Sequence, residues 1–268
     1  HHKPGDEAKK RMIHNLREGV SKVITHEQLS PDVTKTYVVA DMITGFGAAE
    51  AVRNYYEFWN GNIVNKRVII QGWGNGVSAA AYYLAGFGAK IVGIIDRSGG
   101  LMNPNGYSFE EVRQLFLHKD GNKLVAPNLL SFDEVNEKIW SMGAEIMIPA
   151  AASRLLTQDQ LERMIANELE VISCGANVPF ADEQIFMGPV ATFADNHVSV
   201  IPDFIANCGM ARVFAYLMSE EAQLDDTAIF KDTSNIIRKT LMRVQQFHPR
   251  KTGISAKALE MSLTTLLR

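Results

Sequence analysis

The sequence predicts an α/β fold, a doubly wound and mostly parallel sheet with flanking helices at the N- and C-terminal ends. Two observations predict it. Short apolar runs alternate with helical segments from residue 66 to residue 219, as in parallel strands joined by crossover helices. Glycine- and asparagine-rich turns follow the carboxyl ends of the predicted strands, where the crevice of such a sheet binds ligands.

Composition narrows the classes of partner. The 268 residues are 46% hydrophobic and 21% charged, which is ordinary for a globular protein. The net charge of −3 predicts no nucleic-acid partner, and no apolar run approaches the ~20 residues of a membrane span. The two cysteines and seven histidines lack metal-ligand spacing, so we expect no metal site and a cytoplasmic protein. His1 and His2 are typical of a purification-tag remnant.

Three regions are predicted: an N-terminal helix and linker (1–43), a dinucleotide-binding domain (44–220) and a C-terminal helical extension (221–268). The first region contains an amphipathic helix over 4–20, an irregular stretch over 25–41 and a β-prone run over 37–39. Thr44 to Gly47 precede a helix over 48–60, and Thr44 is a candidate N-cap. The extension contains amphipathic helices over 225–246 and 254–267.

The central stretch is Lys66–Gly88. A strand over 68–70 leads into Gly72, Gly74 and Gly76, and a helix follows over 77–84. Glycines let the backbone turn sharply and let N–H groups at a helix N-terminus approach a diphosphate. The stretch therefore predicts the first βαβ unit of a Rossmann-type dinucleotide-binding domain.

A second apolar strand, Lys90–Ile95, ends in Asp96. Asp96 lies 24 positions after Gly72 (96 − 72), close to the ~20-residue offset at which an acidic side chain meets the adenosine ribose hydroxyls. The neighbouring Arg97 could instead receive a 2′-phosphate, which would favour NADP. Because Asp96 would repel that phosphate, we expect NAD, and NADP stays an open alternative.

The remaining elements continue the alternation. After Arg97 we expect a loop with a turn at 103–106, and Ser108 and Glu111 form a capping-box pattern that starts a helix. The further predicted strands are 145–149, 171–173 and 198–203. The further predicted helices are 132–142, 155–167, 181–196 (interrupted at Gly188-Pro189) and 211–219.

Six ordered motifs resemble those of the amino-acid dehydrogenases that act on glutamate, leucine, phenylalanine and valine. They cover about residues 44–217, and the segment 99–127 is nearer the longer glutamate-type members. The motifs are Thr44–Gly47, Gln71–Asn75, Asp96–Gly106, Ile148–Ala151, Gly175–Pro179 and Ile201–Gly209.

This resemblance implies reversible oxidative deamination of an L-amino acid, glutamate most of all, to a 2-oxo acid and ammonia with NAD or NADP. The intact enzyme would be a homo-oligomer. The implied cofactor contacts are Gly72, Gly74, Asn75 and Gly76 to the diphosphate, Asp96 and Arg97 at the adenosine ribose, Ala150 and Ala151 on the adenosine side, Asn177 at the nicotinamide ribose, and Thr44 and Asn207 at the carboxamide.

The chain departs from the family pattern in three places. Val77 stands where a third glycine normally packs, so we expect weaker cofactor binding or a displaced helix. Phe214 replaces a serine that would contact the substrate carboxylate, and Arg212 is a candidate substitute. The family's catalytic lysine and aspartate have no counterpart, because only 43 residues precede Thr44.

We therefore assign no catalytic residue. The leading interpretation is the dinucleotide-binding domain of an amino-acid dehydrogenase, with the substrate domain absent from this chain. The alternative is a non-catalytic nucleotide-binding or interaction module. Cys174 and Cys208 fall at strand ends beside the expected cofactor, and we expect them to be small buried residues rather than nucleophiles.

Overall fold

The computed structural model describes residues 4–266, which form one six-stranded sheet with the strand order β3-β2-β1-β4-β5-β6. The two N-terminal histidines and Leu267, the predicted end of the last helix, lie outside the described residues. The strands are β1 Arg67–Gln71, β2 Lys90–Asp96, β3 Gly99–Tyr107, β4 Ile146–Pro149, β5 Val171–Ser173 and β6 Ser199–Ile201. Every pairing is parallel except that of β3 with β2, which confirms the predicted fold class.

Helices cover both faces of the sheet. They are α1 Pro4–Val20, α2 Val39–Phe58, α3 Asn75–Gly86, α4 Phe109–Leu117, α5 Phe132–Lys138, α6 Gln158–Ala166, α7 Pro189–His197, α8 Asp203–Ala206, α9 Gly209–Leu217, α10 Asp226–Phe247 and α11 Ile254–Leu266. A short 3-10 turn, Ile139–Ser141, follows α5. No helix within residues 4–266 is both long enough and apolar enough to cross a membrane.

Side-chain alternation along the strands builds two cores. On β1, Val68 and Ile70 join the core beneath α2, α3 and α10, whereas Ile69 joins the core beneath α6 and α7. Successive strand residues point to opposite faces, so a strand buried on both faces needs a continuous apolar run. The short apolar runs of the sequence satisfy this requirement.

The segment after Asp96 was expected to be a loop, and this prediction was wrong. It forms β3, an antiparallel edge strand in which Leu101 pairs with Ile94. Gly100 also exchanges two backbone hydrogen bonds with Leu130, of 3.1 and 2.9 Å. The turn-forming residues 103–106 occupy the outer part of this strand, where an edge position tolerates proline.

Helix α2 begins five residues before Thr44, so the predicted N-cap role of Thr44 was wrong. The Asp41 carboxylate accepts the Val38 N–H at 2.9 Å and starts the helix at Val39. The β-prone run at 37–39 contributes one bridge, between Val38 and Val23. Thr44 therefore lies inside α2 and faces α3.

The predicted helix over 181–196 is also shorter in the structure. Residues 181–188 are not helical, and α7 begins at Pro189. The Asp182 carboxylate accepts the N–H groups of Val190 (2.8 Å) and Ala191 (2.9 Å). This side chain supplies the N-terminal hydrogen bonds of α7, as an N-cap residue does.

A buried carboxylate ties the N-terminal linker to α10. Asp226 accepts the N–H groups of Thr25 (2.8 Å), His26 (3.0 Å) and Thr227 (2.9 Å). Burial raises the pKa of Asp226, and the hydrogen bonds from these N–H groups lower it. The lowering is the larger effect, so the pKa lies below its ordinary value. The linker is thus packed on the domain, and the proposed division at residue 43 stays a prediction.

Replacing this carboxylate makes stability less dependent on pH. We expect Asp226→Asn to lower the free energy of unfolding by about 2 kcal/mol at pH 7, because backbone N–H groups lose a charged acceptor. The native pKa lies below the unfolded value of about 3.9, so this contribution is complete above about pH 4 and is lost as the pH falls through the native pKa. Urea unfolding at pH 7 and pH 2.5 measures the difference between the two proteins.

The control is Glu183→Gln, an exposed carboxylate in the non-helical segment 181–188, which should leave stability unchanged at both pH values. A wild-type advantage over Asp226→Asn that persists at pH 2.5 would contradict the assignment.

Helices α2 and α3 touch through their backbones at Gly45. A Cβ atom on Gly45 would overlap the Gly76 carbonyl oxygen and the Ala80 nitrogen, whereas a Cβ on Gly47 would meet the flexible end of Ile237 at 3.4 Å. Both glycines lie on α2, but only at Gly45 is there no room for a side chain.

Two matched variants test this contact. Gly45→Ala should cost about 3 kcal/mol, because backbone atoms must move apart. Gly47→Ala should be neutral or stabilise by up to about 1 kcal/mol, since alanine favours a helix interior. Equal unfolding midpoints in urea for the two variants would show that α2 and α3 are not in backbone contact.

Candidate functional site

A crevice lies at the carboxyl ends of β1, β4 and β5. The chain leaves β1 at Gln71 and turns at Gly72, which has a φ of +102° and donates its N–H to the Ile95 carbonyl oxygen at 2.7 Å. A Cβ on Gly72 would lie 2.7 Å from the Ala151 Cα. The left-handed backbone and the close neighbour both require glycine at this position.

Gly74 then initiates α3 with an extended backbone. The Gly74 carbonyl oxygen accepts the N–H of Ser78 at 2.9 Å, so the N–H groups of Asn75, Gly76 and Val77 precede the first bond within the helix. Free N–H groups at a helix N-terminus, together with the helix dipole, favour an anion there.

The predicted motifs meet around this turn. A Cβ on Gly175 would lie 2.7 Å from the Ala150 Cβ, so the ends of β4 and β5 are in close contact. The Asn207 side-chain amide Nδ2 donates to the Asn177 side-chain oxygen Oδ1 at 3.0 Å. These contacts join the ends of β4, β5 and β6 into one edge.

Helix α2 completes the enclosure. A Cβ on Gly209 would lie 2.6 Å from the Ile43 carbonyl oxygen, and a Cβ on Gly76 would lie 3.3 Å from Thr44 Cγ2. Thr44 therefore lies between the β6 turn and the start of α3. The motifs form a closed ring, which we call the crevice ring: Thr44, Gly76, Gly72, Ala151, Ala150, Gly175, Asn177, Asn207 and Gly209.

A cavity of about 110 Å³ lies inside the crevice ring. Within residues 4–266, its lining contains no lysine and no carboxylate; it is formed by Thr44, Ala48, Gly74, Gly76, Val77, Ala80, Ile148, Ala150 and Gly175. Whole small-molecule sites have volumes of roughly 300–1,000 Å³. The cavity therefore has room for a part of a dinucleotide, and the rest would lie along the open edge of the sheet.

The family model for glutamate/leucine/phenylalanine/valine dehydrogenase matches residues 38–263. The chain belongs to this family. The resemblance inferred from the motifs is confirmed.

The relatives differ in coenzyme. The chain is 28% identical over 173 residues to the NADP(+)-dependent glutamate dehydrogenase of Pyrobaculum calidifontis, covering 64% of this chain and 39% of that protein. It is 29% identical over 169 residues to the NAD-specific glutamate dehydrogenase of Staphylococcus aureus, covering 63% and 38%. Glutamate dehydrogenase 2 of Plasmodium falciparum superposes with a TM-score of 0.65 at 21% identity, covering 82% of this chain and 49% of that chain. The chain thus spans less than two thirds of the proteins that it matches.

Asp96, predicted to meet the adenosine ribose, is engaged with the backbone. It is 8% exposed, and its two oxygens accept the N–H groups of Ser98 and Leu124, each at 2.7 Å. Arg97 is exposed and forms no hydrogen bond or ion pair with another described residue. A carboxylate oxygen can accept a second bond, so the ribose contact stays a prediction. The sequence gives no signal for the bond between Asp96 and the Leu124 N–H, because the two residues lie 28 positions apart.

Val77 was expected to weaken the packing of the family's glycine turn. It is buried and lines the cavity, so its side chain narrows the crevice. The close backbone approach is instead made between α2 and α3, at Gly45 and Gly76. Helix α3 is therefore held tightly in spite of the missing third glycine.

Arg212, the candidate substitute for the family's substrate-binding serine, is paired with a carboxylate. Its guanidinium forms a two-pronged ion pair with Asp232 on α10, with Nε–Oδ2 and Nη2–Oδ1 distances of 2.6 and 2.8 Å. This geometry engages both carboxylate oxygens. Phe214, at the serine position, is 44% exposed. The candidate role of Arg212 as a substrate anion contact stays a prediction, since other N–H groups of the guanidinium remain available.

The two thiols are poor nucleophiles. Burial raises the pKa of Cys208 to about 11 and raises that of the fully buried Cys174 well above its ordinary value. The thiolate is the reactive form of cysteine. Cys174 is a small buried side chain at a strand end, as the sequence predicted, whereas Cys208 is half-buried rather than buried.

Alkylation measures the state of Cys208. With a pKa of about 11, the thiolate fraction at pH 8 is about 200-fold below that of an ordinary thiol, so iodoacetamide should react slowly. The rate should rise about tenfold per pH unit between pH 8 and 10, followed peptide by peptide with mass spectrometry. The urea-unfolded chain is the control and should react at the ordinary rate. A plateau below about pH 9 would contradict the assignment.

Proposed function

We propose that this chain binds NAD(P) as the dinucleotide-binding domain of an amino-acid dehydrogenase of the glutamate type. The crevice ring carries the proposal, because five of the six motifs, spread over more than 160 residues, meet around one helix N-terminus. The left-handed Gly72 and the unbonded N–H groups of α3 fit a diphosphate.

Each predicted cofactor residue has a place in this proposal. The turn from Gly72 to Gly76 holds the diphosphate, and backbone atoms of Ala150 and Ala151 line the adenosine side with Asp96 and Arg97 beyond them. Asn177 reaches the nicotinamide ribose, while Thr44 and Asn207 orient the carboxamide. Orientation selects which face of the nicotinamide ring accepts hydride. The cofactor supplies hydride acceptance, and the chain supplies binding and orientation.

For the intact enzyme we propose reversible oxidative deamination of an L-amino acid to a 2-oxo acid and ammonia, in a cytoplasmic homo-oligomer. This reaction requires an acid and a base beside the reacting carbon. The crevice lining in the described chain has neither a lysine nor a carboxylate. We therefore expect the 268-residue chain to bind the cofactor and not to turn over amino acids.

Calorimetric titration of the purified chain with NADH and NADPH tests the proposal. We expect weak binding, with a Kd above about 1 μM, because Val77 narrows the crevice. Asn207→Ala should weaken binding about fivefold through loss of one hydrogen bond. The exposed Asn196→Ala on α7 should bind like the wild type.

Absence of binding to either coenzyme would overturn the proposed function. Equal affinities for Asn207→Ala and the control would overturn the role of Asn207 at the carboxamide. Glutamate with NAD or NADP should give no absorbance change at 340 nm. Steady turnover by this chain would contradict the expected lack of catalysis.

A further inference from the structure

A short loop, residues 118–124, lies against the glycine turn and has no role in the predicted motifs. Asp120 and Lys123 exchange two backbone hydrogen bonds, of 3.1 and 2.9 Å, around Gly121, which has a φ of +57°. These bonds make the loop a tight turn with a defined shape.

Two contacts fix the loop on the crevice. The Leu124 N–H donates to Asp96 Oδ2 at 2.7 Å, and the Leu124 side chain is buried. At the other side of the turn, Asn122 Oδ1 lies 3.4 Å from the position that a Cβ on Gly74 would take. The buried carboxylate at the end of β2 thus holds the loop over the start of α3.

The loop places an ammonium group at the N-terminus of α3. Lys119 Nζ donates to Asn75 Oδ1, and it lies 3.4 Å from the Gly121 carbonyl oxygen. The same Nζ lies 5.2 Å from the centre of the Phe116 ring. Burial lowers the pKa of Lys119, and the neighbouring Asp41 partly offsets that effect. The ammonium is therefore partly withdrawn from water.

This arrangement is electrostatically incomplete. A helix N-terminus carries about half a positive charge and ordinarily attracts an anion, yet here a cation lies beside it. An anion that contacts both would satisfy the unbonded N–H groups of α3 and the ammonium at once. Asp41 is the nearby carboxylate, and it is already bonded to the Val38 N–H.

We propose that Lys119 binds the diphosphate of the dinucleotide opposite the α3 N-terminus, and that Asp96 positions it by anchoring the loop. The inference rests on the proposed function. It adds one side chain from outside the glycine turn, Lys119, to the groups that contact the diphosphate. Lys123, on the same loop, is exposed and donates no side-chain hydrogen bond to a described residue. It is a matched control.

The first experiment compares Lys119→Gln with Lys123→Gln in the full chain, using fluorescence titration with NADH, NADPH and ADP. Lys119→Gln should weaken all three ligands by about tenfold, because all three contain the diphosphate. Lys123→Gln should stay within about twofold of the wild type. Raising the salt concentration should weaken wild-type binding more steeply than Lys119→Gln binding, since one charge contact is lost.

The second experiment separates positioning from a direct ribose contact. Asp96→Asn removes one acceptor and frees the Leu124 N–H, so hydrogen exchange at Leu124 should accelerate. Binding of inorganic diphosphate, which has no ribose for Asp96 to contact, should weaken. If Asp96 acts through Lys119, the double variant should bind no more weakly than Lys119→Gln alone. Additive losses would overturn the positioning role.

The outcomes distinguish this inference from the proposed function. A wild-type chain that binds neither NADH nor NADPH overturns both. A wild-type chain that binds, with Lys119→Gln equal to Lys123→Gln, overturns the role of Lys119 and leaves the proposed function standing. Unchanged thermal midpoints for both lysine variants show that any loss of binding is local.

Discussion

The backbone contact between α2 and α3 is the constraint on which the crevice depends. Because Gly45 has no side chain, the Gly76 carbonyl oxygen and the Ala80 nitrogen lie directly against α2. Thr44, one residue earlier, is thereby fixed over the glycine turn. Gly209 allows the β6 turn to reach the same part of α2, at Ile43. Glycines from two separate motifs, Gly45 and Gly209, thus serve one purpose: they leave out the side chain where backbones must meet.

Much of the fold and most of the crevice follow from local signals in the sequence. An apolar run such as Val68–Ile70 is typical of a strand in a sheet that helices cover on both faces. Parallel strands bring their carboxyl ends to one edge, so motifs at those ends must meet. For this reason Gly72, Ala150, Asn177 and Asn207 could be assigned to one site before any contact was known.

Other features depend on partners that the sequence does not bring near. Residues 103–106 have turn-forming side chains, yet β3 forms because Gly100 pairs with β2 on one side and with Leu130 on the other. Arg212 had the charge of an anion contact, but Asp232, 20 residues further on, takes up its guanidinium. A motif specifies which side chain is available, and packing decides what that side chain contacts.

Asp96 shows how one residue can satisfy a motif and a structural demand together. Its position after β2 matches the ribose-binding residue of dinucleotide folds, while both of its oxygens accept backbone N–H groups. Asp96 is bonded to the loop that carries Lys119. The buried carboxylate therefore fixes the position of the Lys119 ammonium at the rim of the crevice. Among the described residues the cavity lining is uncharged, so the charged groups of this region, Asp96 and Lys119, lie outside the lining.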